Sequence, residues 1–257
     1  MHTELAISLS ALYGFLLVLA RVAGAFIFVP LPGLNRGPEM TRSLLALSIT
    51  IALFPLWPKI ETGEYRTGIL AGWLLAEAAL GVTIGLAVSF VSEAFQVAAQ
   101  LMGMQAGFAY ASIVDPTTEA DSSVLLVLAQ LTAGLLFFSL GLDREVIRVF
   151  ARSLEHYPPA AFSLSPRIAG PLLGLGAGIF SVGLRLAMPM LALMALVDLS
   201  LALFGRINAQ LQLLSLAFPL KMMAGLVLLA WVASLFPRVY RDFVAGSLRV
   251  VIGVLGI

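Results

Sequence analysis

Six ionisable side chains interrupt otherwise apolar runs of this 257-residue chain: Arg21, Glu77, Glu93, Arg185, Asp198 and Lys221. On insertion scales each costs about 2.5 to 3.5 kcal/mol at the centre of a lipid-facing helix, so each should face a partner or water. Three chemistries fit such residues: interhelical ion pairs that hold a fold together, a proton or ion relay of the transporter sort, and contacts to neighbouring subunits. Arg185 and Asp198 are about 220° apart on one continuous helix, which puts them on different faces and calls for separate partners or a break near Pro189. Asp198 and Arg206 differ by about 80° in azimuth and about 12 Å along the axis, so they share a side without touching. A secondary transporter would use the carboxylates of Glu77, Glu93 and Asp198 for ion coupling, although no internal repeat of the kind such folds show is evident.

A second unusual feature is the segment from Met102 to Pro116, MGMQAGFAYASIVDP, which a lipid-facing helix would not need. Met102 and Met104 flank Gly103, and their thioether chains are soft enough to seal an irregular gap. Gln105 and the Gly103/Gly107 pair suit a segment that bends and makes polar contacts inside a protein-lined cavity, which describes a plug or gate. The same residues equally fit a packed helix end, with Asp115-Pro116 as its stop and Thr117 to Asp121 as a loop.

Around these residues the composition is that of a bilayer protein. Hydrophobic residues make up 60% of the chain and charged residues 11%, far below the roughly 25% charge of soluble domains. Apolar runs recur along the whole length, so residues 1–257 are expected to form a single membrane-embedded domain. The runs are continuous and longer than the roughly ten-residue alternating strands of a membrane β-barrel, which predicts an all-α integral membrane protein. A formal charge of +1 without a Lys/Arg-rich tract implies no nucleic-acid partner, and zero cysteines exclude disulfides and Cys-ligated metals. The start, MHTELAISLSALYGFLL, lacks a basic stretch, so a retained first segment is expected rather than a cleaved signal.

The elements follow from these runs. Leu5 to Val29 reads as a helix followed by the turn PLPGLNRGPEMTR, and Ser43 to Trp57 as a second apolar run. Ile69 to Leu101 and Ile168 to Phe204 are too long for single upright spans: the first alone would extend about 50 Å, against a hydrocarbon core of about 30 Å. Ser122 to Leu142 has about the length that spans a bilayer. In DREVIRVFARSLEHYPP, Arg144, Arg148 and Arg152 recur at four-residue steps opposite Val146, Ile147, Val149 and Phe150. This is an amphipathic helix, lying at an interface or connecting two elements in solvent. Leu211 to Phe236 and Phe243 to Ile257 flank a basic PRVYRD break. Lys and Arg on successive connectors give no clean alternation, so broken helices and helical hairpins buried in protein are expected rather than a plain serpentine bundle. Glycines four residues apart, at Gly68/Gly72, Gly81/Gly85, Gly103/Gly107 and Gly170/Gly174/Gly178, suit close approach of helix backbones.

Catalysis finds no support. The two histidines, His2 and His156, have no Ser or carboxylate partner in an apolar segment, and no metalloprotease, nucleophile-elbow, P-loop or dinucleotide motif is present. No cofactor or metal is expected.

Taken in order, several elements resemble the FliR/SctT family of type III secretion export-gate proteins, and the resemblance covers essentially the whole chain. They are Arg21…Pro30, the run Gly103-Met104-Gln105-x-Gly107-Phe108 with Asp115-Pro116, and the stretch LRLAMP…VDLSLALFGRINAQ…FPLK. In that stretch Arg185, Pro189, Asp198, Arg206, Gln210, Pro219 and Lys221 stand where the family places similar residues. The family often has a proline before the glutamine and an asparagine two residues after it, where this chain reads Ala209-Gln210-Leu211-Gln212. The resemblance implies a core subunit of the flagellar export gate, multi-pass in the bacterial inner membrane at the flagellar basal body. It implies assembly with FliP and FliQ, FlhB bound and FlhA nearby, around exported flagellar protein substrates. It further implies a channel plug over Met102 to Pro116, with Gly103, Gln105, Gly107, Phe108, Asp115 and Pro116 as the matched positions. Arg21, Glu77, Glu93, Arg185, Asp198, Arg206, Gln210 and Lys221 are expected to supply buried charge and subunit contacts.

Overall fold

The structure, a computed structural model, describes residues 9–29, 39–58, 67–108, 124–157, 166–207 and 213–256, and every regular element among them is helical. In chain order these are α1 (Leu9–Phe26), α2 (Glu39–Ala52) with a 3-10 turn at Phe54–Leu56, α3 (Thr67–Gln105), α4 (Val124–Ser139), α5 (Leu142–His156), α6 (Pro166–Ile207), α7 (Leu213–Ala233) and α8 (Phe236–Leu255). Three stretches are long and apolar enough to cross a membrane, Leu9–Phe26, Gly68–Gln105 and Ile168–Arg206. The bent pairs α4 with α5 and α7 with α8 each qualify as one broken span, which raises the count to five.

The two overlong runs are not divided. α3 is one helix of 39 residues and α6 one of 42, so at 1.5 Å per residue they extend about 58 and about 63 Å. The breaks among the described helices fall instead at the α4–α5 and α7–α8 bends, of 64° and 54°. α3 has no proline anywhere in its span, and the helix of α6 continues through Pro171 and Pro189. Proline is tolerated in membrane helices because neighbouring groups take up the freed backbone carbonyl. Both helices exceed the ~30 Å hydrocarbon layer, so they tilt strongly or project beyond it. The converse holds for α4, whose 16 residues amount to about 24 Å, short of an upright span.

The chain divides into two compact units: Met1–Phe90 with Phe137–Leu175 and Val244–Ile257, and Val91–Leu136 with Gly176–Phe243. In the first unit α1 lies against the first part of α3 through small residues. A Cβ on Gly81 or Gly85 would run into the carbonyl oxygens of Arg21 and Ala25, and one on Gly24 into the carbonyl of Ala78. These three glycines let the two backbones touch, and Leu17, Val18, Val22, Leu80 and Ile84 close the seam. Arg42 on α2 donates from Nη1 to the Ile27 carbonyl at 2.9 Å, satisfying an acceptor left open where α1 ends. Amphipathic α5 buries Leu142, Val146, Val149 and Phe150, while Arg144, Arg148 and Arg152 are exposed as the four-residue spacing predicts. Ile147, expected on the apolar side, is exposed.

The second unit is built on aromatic and methionine packing. Phe95 of α3 meets Phe236 and Tyr240 of α8 edge-on, with ring centroids 5.3 and 5.0 Å away, and Met190 and Met194 of α6 are fully buried. Over its apolar window α6 is only 22% buried, against 50% for α3. Phe180, Leu184, Leu196, Leu203 and Phe204 thus face outward, where lipid or another protein must cover them.

Candidate functional site

Arg21 and Glu77 are the most deeply buried charges among the described residues, 2% and 1% exposed. The close approach of α1 to α3 brings them together: Arg21 Nε donates to Glu77 Oε2 at 2.5 Å. The remaining guanidinium donors turn to α5 and the residue beyond it. Nη1 donates to Ser153 Oγ at 3.0 Å and Nη2 to the Tyr157 carbonyl at 3.5 Å, while the Ser153 hydroxyl itself donates to the Phe150 carbonyl at 2.8 Å. One arginine therefore ties three helices, a use that suits its fork of five donors. The void beside the pair, against Leu17, Val18 and Leu154, measures about 10 Å3, at the lower limit for a single water.

In the second unit the end of α3 meets α6 and α7. Lys221 Nζ lies 2.7 Å from Asp198 Oδ1, and Gln105 Nε2 donates to Asp198 Oδ2 at 3.1 Å. Asp198 thus has its own partner, as the 220° separation from Arg185 required, and it does so with α6 unbroken at Pro189. Arg185 and Arg206 are exposed, and neither forms an ion pair among the described residues. Glu93 is exposed as well; its Oε1 accepts from Gln96 at 3.0 Å, and Gln96 in turn accepts from Gln130 of α4 at 3.1 Å. The three carboxylates of the ion-coupling alternative are thus differently placed: Glu77 and Asp198 are each neutralised by a cation, and Glu93 lies at the surface.

Met102–Phe108 is a helix end. Met102 to Gln105 form the last turn of α3, and Gly107 follows with φ +84°. The Phe108 amide bonds the Gly103 carbonyl at 3.0 Å and the Gly107 amide that of Met104 at 3.2 Å, which is a Schellman closure. Glycine is required at 107 because an L side chain there is strained. We expect Gly107→Ala to cost about 1 kcal/mol and to fray the last turn of α3, read as faster amide exchange at residues 103–108 with α1 unaffected. Met102 is buried and Met104 points outward. Asp115, Pro116 and Gln210 lie outside the described residues, as do the flanking segments 109–114, 117–121 and 209–212.

Sequence reasoning singled out every charge in these clusters but did not pair them. It also missed Ser153, whose only signal is its place on the buried side of α5, three residues after Phe150. Among the described residues no group of three His, Cys, Asp or Glu side chains is placed to hold a metal ion.

Long apolar helices tied by the buried Arg21–Glu77 pair and the part-exposed Asp198–Lys221 pair define a helical, multi-pass membrane protein. Residues 12–246 match the family model described as bacterial export proteins, family 1, and the chain belongs to that family. It is similar to the flagellar biosynthetic protein FliR of Escherichia coli K12, 28% identical over 213 residues that cover 82% of this chain and 81% of the relative. FliR of Pectobacterium carotovorum is 30% identical over 197 residues, 75% and 74% of the two chains. The Yop proteins translocation protein T of Yersinia pestis is 26% identical over 213 residues, 80% of each. The resemblance drawn from Gly103–Phe108 and the Arg185–Lys221 stretch is thereby borne out at the level of the family, and the chain is a membrane component of a type III export apparatus.

Proposed function

We propose that this protein is a core subunit of the flagellar type III export gate in the bacterial inner membrane. There it forms with FliP and FliQ a closed channel for exported flagellar proteins, with FlhB bound and FlhA adjacent. The observation that carries this reading is the family match over residues 12–246, together with flagellar relatives such as those of E. coli and Pectobacterium. Physical features support it. The outward apolar face of α6 and the open positions of Gly170 and Gly174, where an added Cβ meets nothing within 4 Å, leave room for neighbouring helices. The whole chain acts as one membrane-embedded module, since α3, α6 and α8 each contribute to both compact units.

Within the gate, Met102 to Pro116 contribute the channel plug. Outward-pointing Met104 and the half-buried Phe108 supply soft apolar groups for a seal. Arg21, Glu77, Asp198 and Lys221 hold the subunit's own helices, while Glu93, Arg185, Arg206 and Gln210 contact neighbouring subunits.

The test is co-expression with the FliP- and FliQ-like proteins of the same genome. The complex should be monodisperse where the lone chain is not, and deletion of residues 109–114 should let ions leak through reconstituted complexes without loss of assembly. A lone chain that is monodisperse and transports solute in liposomes would overturn the subunit reading. A deletion complex that assembles normally and stays as tight as the parent would overturn the plug.

A further inference from the structure

We infer that Gln105, Asp198 and Lys221 position the root of the plug, and that Met102–Phe108 form its fixed seat rather than its moving part. This rests on the plug reading above and adds to it which residues hold the element and where it does not move.

A single carboxylate organises the root. Asp198 of α6 accepts from Gln105 of α3 through one oxygen and faces Lys221 of α7 through the other, so three helices meet at one side chain. Lys221 gives Asp198 its counter-charge and holds one carboxylate oxygen, which leaves the other aimed at Gln105. The next residue is held by shape. Ala106 is fully buried, and a Cβ on Gly225 of α7 would stand 2.7 Å from the Ala106 methyl and 3.4 Å from Met190 Cε. One turn back Met102 is buried, and the Gly107 closure pins the two residues that follow. Met104 alone in this stretch is strongly exposed. Displacing the root would break a charge-assisted hydrogen bond, open the Gly225 contact and uncover Met102 together; packed interiors resist such movement. The side chains of Asp198 and Lys221 are positioning residues in this account, acting on the seal through Gln105.

The chain has no native cysteine, which makes a direct test clean. In the assembled complex, Ala106→Cys with Gly225→Cys should oxidise to a disulfide after a local shift of about 1 Å, because Cβ atoms in disulfides stand about 3.8 Å apart. A fixed seat requires that the oxidised complex export protein as well as the reduced one. Gln105→Leu keeps the Asp198–Lys221 pair but frees the root. The lost bond to a charged group should raise ion flux through reconstituted complexes by roughly tenfold, with Lys221→Met acting in the same direction. Because Lys221→Met also takes away the counter-charge of Asp198, Gln105→Leu, checked for normal co-purification, is the deciding variant. Export that stops on oxidation and returns with reductant would overturn the fixed seat, as would thiols that do not cross-link. A tight Gln105→Leu complex beside a leaking 109–114 deletion would overturn the positioning role while leaving the plug standing. A deletion that is itself tight removes the plug reading and the seat with it.

Discussion

Arg21→Leu and Glu77→Leu should each remove most of the folded protein, and the double variant should return much of it. The single changes leave one buried charge without its counter-ion. Breaking a buried pair from one side costs about 3 to 5 kcal/mol, comparable to a large part of the stability of a typical domain. The environment gives no relief: both side chains are almost wholly buried and the adjoining void admits at most one water. Arg21→Leu also strips Ser153 and the Tyr157 carbonyl of a donor, so α5 should loosen from α1 and α3. Replacing both charges by leucine removes the orphan, and substitution of a whole buried pair by apolar groups is often close to neutral. Thermal unfolding of the purified complex, run as a double-mutant cycle, reads the coupling; single and double variants of equal stability would mean that the pair does not hold this unit together. Glu77→Gln, which keeps an acceptor for Arg21 but no charge, should fall between the parent and Glu77→Leu.

Gly81→Leu should be as damaging, by a different route. At Gly81 an added Cβ meets the backbone of Arg21, whose carbonyl cannot swing aside as a side-chain tip would. The helices must separate, and overpacking of a well-packed seam typically costs 1 to 3 kcal/mol, occasionally more. About 3 kcal/mol or more is expected here, since separation also draws Arg21 away from Glu77. Gly72→Leu provides the contrast. A Cβ at Gly72 has no neighbour within 4 Å, so the change should stay within about 0.5 kcal/mol and leave the melting temperature essentially unchanged. Equal losses at both positions would show that glycine serves α3 in some way other than close approach to α1.

The contrast between Gly81 and Gly72 also shows where sequence reading stopped. Both belong to four-residue glycine pairs and are indistinguishable by spacing; only the placement of α1 decides which pair is pressed against a backbone. Charges behaved in the same way. Insertion cost alone marks Arg21, Glu77, Asp198 and Lys221 as residues in need of partners. Pairing is a matter of which helices neighbour one another, and Arg21 and Glu77 stand 56 positions apart. The sequence marks Gln105 as a side chain in need of a polar contact, and the structure supplies its acceptor, Asp198, 93 positions away.

What the sequence by itself determined about this protein is local or compositional. Sustained apolar runs make a helical membrane chain because a backbone in lipid must satisfy its own hydrogen bonds. The periodicity of Val146, Val149 and Phe150 against Arg144, Arg148 and Arg152 sets the two sides of α5, and the order of motifs from Arg21 to Lys221 was enough to place the family. Tertiary structure alone decided the rest. It kept α3 and α6 continuous where length argued for breaks, since helix propagation depends on each turn's own hydrogen bonds and not on the thickness of the membrane around it. It turned Met102–Phe108 from an insert or a helix end into a helix end seated on Asp198 and Gly225, because those contacts join segments about a hundred residues apart, and no local pattern encodes which distant helix will lie alongside.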